Sequence, residues 1–227
     1  MKSRFFALAA LTSLVALAAC DDDNIVGVGN IATVRVVNAT NVSLDVATNG
    51  AVGTGSANLT FGQATSCLVV SATNPDITIR NAGSATVITG LNTNFLAGGK
   101  FVIIATAGAG GALQFTTVQD NFLPASGQAG LAALNAFSTT TNVDLYVTAP
   151  NAALVTPSAA NLTFAVASSY FNVSSGVQQL RFTNAGAQTI VLNAGNTVFN
   201  TATNSIVVLG PPAAAQTVPR AFIVPGC

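Results

Sequence analysis

Few side chains in this 227-residue chain can do chemistry. It contains no His, no Glu and no Trp, and charged residues make up 6% of it, against a norm of about 25%. A serine or cysteine nucleophile needs a base beside it, and beyond the first few residues the only bases are aspartates and Lys100. Asp45 and Asp144 occupy equivalent places in an internal repeat, which marks them as strand-end or turn residues. No catalytic residue is expected, and the chain is not read as an enzyme. A zinc site draws on clustered His, Cys or Glu, and the sequence has none, so neither a metal nor another cofactor is expected. Gly108-Ala109-Gly110-Gly111 lacks the lysine and the strand-to-helix setting of a phosphate loop and reads as a hairpin. The surface must be built from Thr, Asn, Ser and Gly, so it offers no basic patch for nucleic acid. Asn38, Asn41, Asn58, Asn161 and Asn172 begin Asn-x-Ser/Thr triplets, which this composition produces by itself.

The cysteines carry the chemistry that remains. Lys2 and Arg4 precede an apolar run from Phe5 to Ala19, and the run stops at Cys20 and three aspartates. This is the layout of a secretory signal. The run is shorter than the roughly 20 apolar residues a spanning helix needs. Leu17-Ala18-Ala19-Cys20 resembles the lipobox of bacterial lipoproteins. The resemblance implies a diacylglycerol thioether on Cys20 and cleavage before it. Each buried CH₂ adds about 0.8 kcal/mol, so two or three acyl chains hold a protein firmly in a membrane. An ordinary cleaved signal with an incidental cysteine is the plainer reading. Asp21, Asp22 and Asp23 read as a solvated spacer, because consecutive side chains on an extended chain point apart and do not surround one cation. An aspartate in this place also resembles the inner-membrane retention signal of enterobacterial lipoproteins.

Cys67 and Cys227 are left as an even pair. Outside the cytoplasm such a pair reads as a disulfide, here one that ties the last strand, around Ala221 to Val224, to the first half of the chain. The rival is two free thiols, one buried and one reactive. The loop closed is long, and the chain-entropy model assigns it about 5 kcal/mol as an upper value.

These residues need a scaffold, and the sequence reads as all-β. Short runs of Val, Ile, Phe and Thr are punctuated by Gly, Asn and Pro. Asn58-Leu59-Thr60-Phe61 recurs as Asn161-Leu162-Thr163-Phe164, and Ile77 to Gly83 matches Leu180 to Gly186 at the same offset. Leu44-Asp45-Val46 corresponds to Val143-Asp144-Leu145, with a small insertion in the second copy. The expected organisation is a signal peptide over 1–19, a lipidated tether over 20–30, a first β-sandwich over 31–120, a linker over 121–130 and a second β-sandwich over 131–227. Ile77 and Ile79 alternate with Thr78 and Arg80, as Leu180 and Phe182 do with Arg181 and Thr183, which predicts one buried and one wet face. Phe101 to Ala105 and Ile206 to Leu209 are apolar on both sides and should be covered on both faces. Leu131 to Phe137 would pass for a helix, but the repeat makes it a strand. Turn signals every 8 to 12 residues predict two packed antiparallel sheets of seven to nine strands in each copy. A transmembrane barrel would need longer strands and aromatic girdles, and the only tyrosines are Tyr146 and Tyr170.

The repeat resembles a bacterial family called domain of unknown function 4397. The resemblance is carried by Val34-Arg35-Val36-Val37-Asn38-Ala39, the Asp-containing strands Leu44-Asp45-Val46 and Val143-Asp144-Leu145, Leu59-Thr60-Phe61-Gly62, Ser169-Tyr170-Phe171, and the turns Asn81-Ala82-Gly83 and Asn184-Ala185-Gly186. It extends over most of residues 31 to 225. The second copy departs from the pattern at Leu134-Asn135-Ala136-Phe137, and the first has Cys67 where the second has Tyr170. The resemblance implies tandem immunoglobulin-like sandwiches in a secreted or lipid-anchored protein, with no assigned activity. The expected function is that of a structural or protein-interaction module in the bacterial cell envelope. Acyl chains on Cys20 would hold it at the periplasmic side of the inner or outer membrane, or at the cell surface. The alternative is a carbohydrate- or polymer-binding surface lipoprotein. Its partner would be a glycan where the first reading has an envelope protein.

Overall fold

A computed structural model describes residues 29–91 and 93–227. The leader, Cys20 and Asp21 to Asp23 lie outside the described residues. The first copy contributes β1 (Ile31–Asn38), β2 (Leu44–Thr48), β3 (Ala51–Val52), β4 (Leu68–Ser71), β5 (Ile77–Asn81), β6 (Val87–Gly90), β7 (Lys100–Ala107) and β8 (Leu113–Gln119). The second contributes β9 (Gln128–Asn135), β10 (Val143–Thr148), β11 (Ala159–Leu162), β12 (Phe171–Ser174), β13 (Gly176–Asn184), β14 (Ile190–Phe199), β15 (Asn204–Gly210) and β16 (Arg220–Pro225). Leu131 to Asn135 lie in strand β9, as the repeat requires. β9 begins at Gln128, so the end of the segment read as a linker already pairs.

Each copy is a sandwich of two four-stranded sheets. In the first copy the orders are β4-β1-β7-β8 and β3-β2-β5-β6, and in the second β12-β9-β15-β16 and β11-β10-β13-β14. Most pairings are antiparallel, as expected. The exceptions are β1 with β7 and β9 with β15, which run parallel. Each of those pairs joins the first strand of a copy to one that arrives after a long excursion, a connection parallel neighbours require. Ala32, Val34, Val36, Leu44, Ile79 and Ile103 belong to the core of the first sandwich. Leu131, Val143, Leu145, Leu180, Phe182 and Val207 belong to that of the second.

A third core joins the copies. Val37, Val102 and Ile104 pack with Ala132, Leu134, Ile206 and Val208. These are the alternate side chains of the same strands that fill the two sandwiches. β7 and β15 are therefore apolar on both sides because one face looks into a sandwich and the other into the neighbouring copy. Fully burying one such side chain contributes about 1.5–3 kcal/mol, so this shared core makes the copies one body.

The contacts around it are reciprocal. Asn38 and Asn135 are equivalent, each donating from its side-chain amide to a leucine carbonyl, Leu59 or Leu162. The strand registers then make Thr116 of β8 equivalent to Phe222 of β16, opposite Ile104 and Val208. Thr116 Oγ1 donates to the carbonyl of Ala165 at 2.6 Å in the second copy. Phe222 packs on Phe61 of the first copy, ring centroids 5.0 Å apart and edge to face. Gly62, the counterpart of Ala165, lies beneath that ring. Each copy thus places the same turn on the last strand of the other, the arrangement of an isologous dimer within one chain.

One expectation fails in β13. Arg181 and Thr183 are buried, although alternation placed them on a wet face. The β10–β11 connection, where the second copy carries its insertion, folds over this side. Arg181 Nη2 donates to Thr148 Oγ1 and to the Ala152 carbonyl, both at 2.6 Å. Gln188 Nε2 donates to the Leu154 carbonyl at 2.8 Å.

Candidate functional site

Asp45 and Asp144 have matching surroundings. Asp45 Oδ1 accepts from the Asn58 amide at 2.6 Å and Oδ2 from the Gly83 amide at 2.9 Å. Asp144 Oδ1 accepts from the Asn161 amide at 2.6 Å and Oδ2 from the Gly186 amide at 2.8 Å. Asn58 and Asn161 sit at φ 50° and 53°, in the left-handed region that asparagine tolerates. The repeated Asn-Leu-Thr-Phe and Asn-Ala-Gly segments are therefore the turns that these two carboxylates hold. Each carboxylate is buried and has both oxygens engaged by backbone, as a structural role requires.

A different set of residues gathers where the pseudo-two-fold relation brings the copies together. The registers make Arg35, Lys100 and Asp120 the counterparts of Ala132, Asn204 and Gly226. Two equivalent backbone bonds support this, Asp120 N–H to the Lys100 carbonyl and Gly226 N–H to the Asn204 carbonyl. Asn204 Nδ2 donates to Asp120 Oδ1 at 2.7 Å and to the Phe122 carbonyl at 2.8 Å. Lys100 Nζ donates to a main-chain oxygen of Cys227 at 3.2 Å. Arg35 Nη1 donates to the carbonyls of Pro225 at 2.6 Å and Gly226 at 3.2 Å.

The flanks of this site are equivalent positions filled differently. Cys67 and Cys227 form the expected disulfide, with Cα atoms 5.9 Å apart. On the other side Tyr170, the counterpart of Cys67, stacks on Phe122, with centroids 5.6 Å apart and 12° between planes. Between them lies a cleft of about 540 Å³ lined by Lys100, Asp120, Phe122, Leu123, Asn204 and Pro225, among others. Burial lowers the pKa of the Arg35 guanidinium, and the Asp120 charge partly opposes that. Burial, and then the Asp120 charge, push the Tyr170 phenol above its ordinary range. Arg35 Nε, Tyr170 Oη and Asn204 Oδ1 are buried and have no hydrogen-bond partner among the described residues.

Of the residues singled out in the sequence, the structure brings Cys67 and Cys227 together here, while Asp45 and Asp144 stay apart within their own copies. Lys100, Asp120, Phe122 and Asn204 were not singled out as a site. Their signal is visible in the repeat itself, where charged residues in one copy stand opposite neutral ones in the other. Among the described residues no three His, Cys, Asp or Glu side chains form a group able to hold a metal ion. No helix among them is long and apolar enough to cross a membrane.

A family model described as "Domain of unknown function (DUF4397)" matches residues 32–146. That match spans the first copy and the first two strands of the second. No curated protein matches the chain.

Proposed function

The chain belongs to the DUF4397 family, and on that premise we propose that it is a lipid-anchored cell-envelope protein whose joined sandwiches act as a rigid structural or protein-interaction module without catalysis. The observation that carries this reading is the Cys67–Cys227 disulfide. Disulfides persist in oxidising compartments outside the cytoplasm, the destination that a leader ending in Leu17-Ala18-Ala19-Cys20 also specifies. The shared core supports rigidity, since side chains of both copies are buried in it together. The eight residues between Cys20 and Gly29 can span at most roughly 29 Å, which would keep the module close to its membrane.

The test is lipidation. Cells expressing the chain should incorporate labelled palmitate into it, and the protein should partition into detergent. Both should be lost in Cys20→Ala. A Cys20→Ala protein that still incorporates the label would sink the anchor. Fractionation with surface protease digestion would then place it at the inner membrane, the outer membrane or the cell exterior.

A further inference from the structure

We propose that the cleft between the two copies is a binding site for a neutral saccharide, held by Asp120 and Lys100 and packed against Phe122. This goes beyond the envelope-module reading and does not depend on lipidation of Cys20. A volume of about 540 Å³ falls within the usual range for small-ligand sites, and such sites favour domain interfaces. Its polar groups have unused capacity. An ammonium carries three donors, and Lys100 commits one to Cys227. Asp120 has Oδ1 engaged by Asn204, and among the described residues no donor is recorded on Oδ2. A cleft of about 620 Å³ beside Tyr146 and Gln188 contains a carboxylate with both oxygens occupied by backbone amides.

The charge pattern selects the ligand class. An anion would be drawn to Lys100 and repelled by Asp120, and a cation would meet the reverse. A hydroxyl both donates and accepts, so neighbouring hydroxyls on one sugar ring satisfy the pair together. Phe122, Leu123 and Pro225 give the same cleft an apolar wall for the C–H face of a ring. Leu123 is 90% exposed, and Phe122 is fixed from behind by Tyr170. The segment Pro225 to Cys227, which also lines the cleft, is held by the disulfide and by Arg35. The site is thus organised before any ligand arrives, which lowers the cost of binding.

The difference between the copies agrees with a dedicated site. Near the pseudo-two-fold axis a charged residue meets its own counterpart. A Cβ on Gly226 would lie 2.1 Å from Asp120 Oδ2, so the acid can be present in only one copy. Arg35, Lys100 and Asp120 all lie on the first copy, and their counterparts Ala132, Asn204 and Gly226 are neutral. Packing requires Gly226 to be small and keeps Ala132, fully buried in the shared core, uncharged. It does not account for the exposed Lys100 standing on the same side as Asp120.

The experiment titrates the oxidised full chain with hexasaccharides of N-acetylglucosamine, of α-1,4- and β-1,4-linked glucose, and of mannose, with hexagalacturonate as the anionic arm. Binding is read by calorimetry and by amide shifts in a two-dimensional NMR spectrum. At least one neutral sugar should bind saturably and move the Asn121 and Gly226 resonances. Lys100→Met and Phe122→Ala, both at solvent-reachable positions, should each weaken it by about tenfold or more, as should Asp120→Asn. Val155→Ser at the other cleft should not change it. The proposal is overturned if no neutral sugar saturates at about 10 mM (roughly 3 kcal/mol of binding), if the anionic sugar binds better, or if folded Lys100→Met and Phe122→Ala retain full affinity.

Discussion

Asp45 and Asp144 are 8% and 4% exposed, and each satisfies two backbone amides at a turn. Removing such an acceptor leaves buried donors without a partner, at a cost of about 1–3 kcal/mol. Asp45→Ala and Asp144→Ala are each expected to lower the unfolding free energy by about 2 kcal/mol, measured by urea titration followed by far-ultraviolet circular dichroism. A loss below about 0.5 kcal/mol, the usual size of a surface substitution, would refute the structural role. Tyr170 gives a pH-dependent case. Its folded-state pKa is raised, mainly by burial and then by Asp120, while in the unfolded chain the phenol ionises near its ordinary value of about 10. The group therefore contributes its full stability below about pH 10. That contribution declines at higher pH, because the unfolded chain releases the proton first. Tyr170→Phe should flatten the alkaline fall in stability that sets in above about pH 10. Because the hydroxyl has no partner among the described residues, the variant should be no less stable than the parent at neutral pH. An unchanged alkaline slope would refute the assignment.

At the scale of strands and turns, two crossing contacts add to the shared core in holding each copy against the other. Phe222 lies against Phe61, and Arg220 stacks on the other part of the same cluster, its guanidinium 3.6 Å from the Phe61 ring centroid. Phe222→Ala should cost about 2 kcal/mol, below the 3–5 kcal/mol of a fully buried ring because this ring is only half-buried. Thr116→Val, at the equivalent position, should cost about 1 kcal/mol, the worth of one hydrogen bond. Denaturant midpoints would check both, and equal losses would contradict the different chemistry of the two contacts. Much of this level was legible in the sequence. The matching segments gave the two copies, and the apolar runs at Phe101 and Ile206 announced strands covered on both faces. Alternation correctly buried Ile77 and Ile79. It failed at Arg181, because the β10–β11 connection covers that residue and meets it through the Thr148 hydroxyl and the Ala152 carbonyl, contacts that alternation along β13 does not register. Parallel pairing of β1 with β7 was hidden as well, since register between strands so far apart follows from tertiary packing. The cleft was hidden for the same reason. Lys100, Asp120 and Asn204 are unremarkable singly, and only the superposition of the copies shows that they share a place.

For the whole molecule the governing fact is that the third core lies between the copies. Two sandwiches joined by a flexible linker would unfold independently, in two steps. Here Val37, Ile104, Leu134 and Val208 lose their partners if either copy opens, so the chain should unfold as one cooperative unit. Calorimetry should give a van't Hoff enthalpy equal to the calorimetric one. The disulfide spans 160 residues and connects the first copy to the end of the second. Breaking it should lower stability by no more than about 5 kcal/mol, the loop-entropy limit, without splitting the transition, because the shared core does not depend on it. Val208→Asp should act differently. It places an unpaired charge against Leu134 and Ile104 across the shared core, where an isolated buried charge is costly. The inward faces of the two sandwiches are left intact by that change, so the expected result is a broadened or biphasic transition in which each copy melts by itself. A single sharp transition in Val208→Asp, merely displaced to lower temperature, would mean that cooperativity is transmitted by the crossing turns and the disulfide, and that the apolar layer between the copies is not what makes them one body.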